Sequence, residues 1–96
     1  MVLDLSARAL AQQETPQALS LQAEAMAALG DPRHALSIAE RATEIKPRFS
    51  PAWYVKGRIQ RILGDKKAAR AAFERYLEID PEGNRADQVL DLLQDM

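Results

Sequence analysis

The sequence predicts an all-α fold built from antiparallel helical hairpins stacked in a row and finished by one more helix. Three observations carry this. First, residues 29–47 (LGDPRHALSIAERATEIKP) and 63–81 (LGDKKAARAAFERYLEIDP) repeat one another. They share the opening Leu-Gly-Asp, Ala35/Ala69, Glu40-Arg41/Glu74-Arg75, Glu44-Ile45/Glu78-Ile79 and a closing proline, every match 34 residues from its partner. Second, helix starts and stops recur at short intervals, with no alternating strand pattern and no Asn-Gly hairpin signal. Third, one segment carries two apolar faces. Around 51–63, Trp53, Gly57 and Leu63 share one side, while Val55, Ile59 and Ile62 share another. A helix with two apolar sides needs cover on both, and a stack of hairpins supplies it.

The first predicted helix spans 2–13. Its LDLSARA (3–9) aligns with LSIAERA (36–42), and Arg8, Arg41 and Arg75 recur at spacings of 33 and 34, so it reads as the second helix of a half repeat. The next helix, 16–29, starts where Thr15 precedes Pro16. A cap side chain accepts a free backbone N–H, and proline loses nothing at the first helical position. It stops at Gly30, a residue suited to the left-handed conformation that ends helices. Asp31-Pro32 opens 32–46 in the same way, and Pro47 closes it. Ser50-Pro51 is expected to cap 51–63, which ends before Gly64. Asp65 opens 66–79, closed by Pro81. Asn84 is the expected cap of 84–95. Links this short place successive helices antiparallel.

Composition narrows the function. A 96-residue chain, 47% apolar and 28% charged, has the profile of one folded domain. A net charge of −1 gives no general attraction to nucleic acid or to a membrane surface. There is no cysteine, hence no disulfide framework and no thiolate chemistry. The apolar runs are too short to span a bilayer, and MVLDLSARAL lacks the basic start of a signal peptide. A soluble protein, cytoplasmic by default, is therefore expected. Catalysis needs converging polar groups, and no such set is visible. His34, the single histidine, sits beside Arg33 in a first helical turn. The serines Ser6, Ser20, Ser37 and Ser50 lack a base at a recognisable spacing. Glu40 and Glu44 read as a solvated helix face. No metal-ligand cluster and no phosphate-binding glycine loop is present, so no cofactor, metal or enzyme activity is expected.

The 34-residue period resembles the tetratricopeptide repeat, whose pattern is Trp-x2-Leu-Gly-x2-Tyr, then Ala-x3-Phe, then Pro. Residues 50–83 supply Trp53, Gly57, Ala69, Phe73 and Pro81. They depart at Lys56 in place of leucine and at Gln60 in place of tyrosine. Tyr76 stands where a small residue is usual. Residues 16–49 form a looser copy through Leu19, Ala23, Ala35, Ala39, Ala42 and Pro47. The resemblance implies one domain over 1–96: a half repeat at 2–13, repeats at 16–49 and 50–83, and a capping helix at 84–96. It also implies a right-handed superhelical stack, with small residues at 23/57 and 35/69 where helices approach.

The same resemblance implies a non-catalytic protein–protein interaction module. Its concave groove, lined by the first helices, would take a peptide or helix of a partner. Carried over by position, that groove includes Ser20, Glu24 and Ala27 from one repeat and Tyr54, Arg58 and Arg61 from the next. Gln88 and Leu92 would close its end. Tyr54 with two arginines suits an acidic segment, since guanidinium forks onto carboxylate. Ser20 and Glu24 do not provide the lysine and asparagine of the family's carboxylate clamp. Charge is also uneven. Lys56, Arg58, Arg61, Lys66, Lys67 and Arg70 oppose Asp65 alone, and farther on Glu78, Asp80, Glu82, Asp87, Asp91 and Asp95 oppose Arg85 alone. Helix-end electrostatics and solubility account for this, or else head-to-tail pairing of copies or a docking surface for an acidic partner does. Self-assembly is the alternative function, with Leu3, Leu5 and Leu10 as the contact surface.

Overall fold

The structure is a computed structural model and describes residues 15–95. The helix expected over 2–13, and with it Leu3, Leu5 and Leu10, lies outside the described residues. Among the described residues there are five α-helices and no strand: α1 (Pro16–Ala28), α2 (Pro32–Ile45), α3 (Ser50–Ile62), α4 (Lys66–Ile79) and α5 (Ala86–Asp95).

The turns explain why these segments are helices of this length. Gly30 and Gly64 adopt φ of 98° and 86°, the left-handed region that side chains disfavour. Each sits in the same pair of bonds. The Gly30 N–H donates to the Ala27 carbonyl, and the Asp31 N–H donates to the Met26 carbonyl. Gly64 and Asp65 repeat this on Arg61 and Gln60. Two orphan carbonyls are thereby satisfied at each helix end. The same aspartate then turns to the next helix. The carboxylate of Asp31 accepts the His34 N–H at 3.4 Å, and that of Asp65 accepts the Ala68 N–H at 3.2 Å. Leu-Gly-Asp thus ends one helix and begins another within three residues. Thr15 caps α1 in the ordinary way, accepting the Ala18 N–H at 3.1 Å.

Two starts differ from expectation. Ser50 lies inside α3, not before it. Phe49 occupies the cap position without a side-chain bond, and the Ser50 hydroxyl donates to the Asp80 carboxylate at 3.4 Å. A tertiary acceptor has taken the hydroxyl that a local cap would have used. Asn84 is likewise in a turn, and α5 begins at Ala86. There the Arg85 N–H donates to the Tyr76 hydroxyl at 3.2 Å. This contact gives a role to the large residue at 76. Its ring packs in the core and its hydroxyl meets the backbone at the approach to α5.

α1 pairs with α2, and α3 with α4, as antiparallel hairpins. α3 also packs on α2 and α1, and α5 packs on α4. The main core runs through Ala23, Ala35, Ala39, Val55, Ile59, Ala69, Phe73, Tyr76 and Val89, with a smaller cluster of Leu19, Ala42 and Ala52 at the junction of the hairpins. Close approach is explicit at Gly57. A Cβ there would lie 2.6 Å from the fully buried Phe73 ring. Trp53 is half-buried, not fully enclosed as its motif position suggests. Its indole N–H donates to the Pro47 carbonyl at 2.8 Å.

Candidate functional site

The first helix of each hairpin and α5 line adjoining recesses that share Arg58, together called the trough. Positions along it recur at the repeat spacing. Ser20, Tyr54 and Gln88 form one row; Glu24, Arg58 and Leu92 a second; Ala27, Arg61 and Asp95 a third. Rows meet across the helices. The Tyr54 hydroxyl donates to the Gln88 amide oxygen at 3.4 Å. An Arg58 nitrogen lies 3.9 Å from a Glu24 carboxylate oxygen.

The expected site residues fall into two groups. Glu24, Ala27, Arg58 and Arg61 line the trough and reach solvent. Ser20 and Tyr54 lie on the same side, but each is only 5% exposed. The Ser20 hydroxyl donates back to the Pro16 carbonyl at 2.7 Å, within its own helix. Tyr54 is wedged between Phe73 and Tyr76, at ring separations of 6.4 and 6.1 Å. Tyr54 therefore acts mainly as a floor. Two arginines stand against its ring, Arg85 at 4.6 Å and Arg58 at 5.6 Å, each positioned by a cation–π contact. Gln88 and Leu92 line the far end, together with Asp91 and Asp95.

Sequence reasoning missed three features. Ile62 was expected to be covered by its neighbours, yet it is 60% exposed. It lines a recess of about 190 Å³ with Ala27, Val55 and Ile59, so the trough has an apolar wall. Arg85 reaches the trough from the loop before α5, beside Val55 and Glu24. Its place three residues after Glu82 carried no periodic signal. The charge balance was also hidden. Glu24 faces Arg58, and Asp91 and Asp95 face the Arg61 end, so the trough is mixed in charge where the arginines alone suggested a basic one. Only the 34-residue offset between Glu24 and Arg58 could have announced that pair.

His34 is exposed on the outer surface, with Nδ1 3.6 Å from Asp31. Among the described residues no group of three or more His, Cys, Asp or Glu side chains could hold a metal ion, and no helix is long and apolar enough to cross a membrane.

The family model of the tetratricopeptide repeat matches residues 50–82, which span α3, α4 and the turns around them. This hairpin is similar to a tetratricopeptide repeat, and the helical hairpins around it are consistent with the all-α fold that such repeats build. Repeats of this family generally mediate binding between proteins and are typically non-catalytic. No curated protein matches the sequence at a significant level.

Proposed function

We propose that the trough captures a segment of a partner protein, with the repeats at 16–49 and 50–83 and the closing helix α5 acting as one interaction domain. The observation that carries this reading is Ile62. A 60% exposed isoleucine stands over Ala27, Val55 and Ile59, with Arg58 on the rim. Exposed apolar surface bounded by polar groups is where recognition gains most from excluding water. An amphipathic helix or extended peptide would set one apolar side chain against Ile62. Its acidic residues would meet Arg58 and Arg61, where guanidinium can fork onto carboxylate. Glu24 holds Arg58 in place until a stronger acceptor displaces it.

A peptide library tests this. Selection against the intact chain should enrich segments with an apolar residue followed, three or four positions away, by Asp or Glu. The double reversal Arg58→Glu with Arg61→Glu should replace that preference by Lys or Arg, with circular dichroism unchanged. Enrichment that ignores both reversals would overturn the groove reading.

A further inference from the structure

Two of the departures from the repeat pattern, Lys56 and Gln60, come together in space. Both line a recess of about 340 Å³ between α3 and α4, with Trp53, Ala68, Ala71, Ala72, Arg75 and Glu78. Successive helical residues are about 100° apart, so positions 53, 56 and 60 point well away from 54, 58 and 61. The recess therefore opens on a different side of α3 from the trough. Its walls are the Trp53 ring and three alanines. Two cations flank the ring: Lys56 Nζ at 4.8 Å and the Arg75 guanidinium at 5.9 Å. Gln60 is only 8% exposed, and its side-chain oxygen has no hydrogen-bond donor.

A buried amide without a partner is destabilising, and native proteins keep few of them. Only the oxygen is buried without a partner; the amide nitrogen carries two N–H donors. Arg75 already holds one carboxylate loosely, Glu78 at 3.9 Å, and Glu78 itself is largely exposed. In the first hairpin the residues 34 positions earlier are Met26 and Ile38, which pack against the core where the second hairpin has Gln60 and Ala72. The second hairpin thus lacks the apolar filling that its sister has. It offers an amide, two cations and apolar walls instead.

We infer that this recess is a second binding site, and that it takes a glutamate side chain from a partner polypeptide. The methylene stem lies along the alanines and the Trp53 ring. The carboxylate reaches Lys56 and Arg75, displaces Glu78, and accepts the Gln60 amide N–H. A phosphate group fits less well, because it has no apolar stem to lie along the alanines and the Trp53 ring, and it brings up to two negative charges where a glutamate brings one.

Trp53 is the single tryptophan, so its emission reports on this recess directly. The probe is the blocked peptide Ala-Ala-Glu-Ala-Ala, with Ala-Ala-Gln-Ala-Ala as its neutral twin. The glutamate peptide should change the emission saturably, with a midpoint on the order of 1 mM, and the twin should bind about fivefold more weakly or worse. Lys56→Gln with Arg75→Gln should abolish the response, and Gln60→Leu should weaken it while raising the melting temperature. Glu78→Gln should strengthen it about twofold by removing the internal competitor. Arg58→Gln with Arg61→Gln, on the other side of α3, should leave it intact. The inference is overturned by no saturable change up to about 10 mM, by an equal response to the neutral twin or a stronger one to inorganic phosphate, or by a response that survives the Lys56/Arg75 double substitution.

Discussion

The two hairpins share their turns and differ in what fills them. Both carry a left-handed glycine, an aspartate that caps the next helix, and a fully buried alanine at 35 or 69. Inside, the first hairpin has Ala23 and Ala39 where the second has Gly57 and Phe73. The second gives up a methyl group on one helix and seats a ring from the other in the space, as the 2.6 Å approach to Phe73 shows. At the side, the first has Met26 and Ile38, and the second has Gln60 and Ala72. A repeat of this kind conserves helix ends and spacing, and leaves the contents of each unit free to compensate locally.

Four substitutions bear on that comparison. The largest effect belongs to Phe73→Ala, which empties a fully buried site. It should cost about 3–5 kcal/mol in chemical denaturation, whereas Ala39→Gly at the matching position should cost only about 1 kcal/mol. Equal losses would mean that the ring is not the core of its hairpin. Next comes Gly57→Ala. The added methyl would press on a ring with no room to retreat, for a loss of roughly 1–3 kcal/mol, although alanine is the better helix former. In the Phe73→Ala background the same change should be neutral or favourable, and a double-mutant cycle reads that coupling. Strict additivity would break the idea of a compensated pair.

Importing the first hairpin's residue with Gln60→Met should stabilise the fold by about 1 kcal/mol, since it removes a buried amide oxygen with no partner; a loss measured by thermal melting would show that the oxygen is satisfied in solution. The smallest effect concerns the contact between the hairpins. Glu24 and Arg58 are both close to half-exposed and 3.9 Å apart, so their coupling energy should be about 0.5 kcal/mol or less and vanish in high salt. A coupling above 1 kcal/mol would mark the pair as a structural clasp between repeats.

Much of the fold was legible because its signals are local. Asp31, Asp65, Gly30 and Gly64 act within a few residues of themselves, and the sequence shows them without tertiary context. Ser50 misled for the opposite reason. Its hydroxyl bonds Asp80, 30 residues away, and no local rule anticipates that. Tyr76 looked too large for its place until its hydroxyl was seen to receive the Arg85 N–H. The trough was readable as rows at the repeat spacing, since helical phase decides which residues share a side. Depth within each row was not readable. Ser20 and Tyr54 stand in line with Glu24 and Arg58, yet sink below them, because neighbouring helices close over one position of a face and not the next. Trp53 erred the other way, for its bond to Pro47 holds the indole at the edge.

Each helix packs chiefly on those next to it in the chain, and the connecting turns are only a few residues long. Few distant segments must find one another before contacts begin to form, so little loop-closure entropy opposes the first steps of folding. The second hairpin, where Phe73 and Tyr76 are buried, offers the largest aromatic burial among these local contacts. Among the described helices, the amide hydrogens of α3 and α4, which enclose Phe73 and Ile59, should exchange more slowly than those of α5.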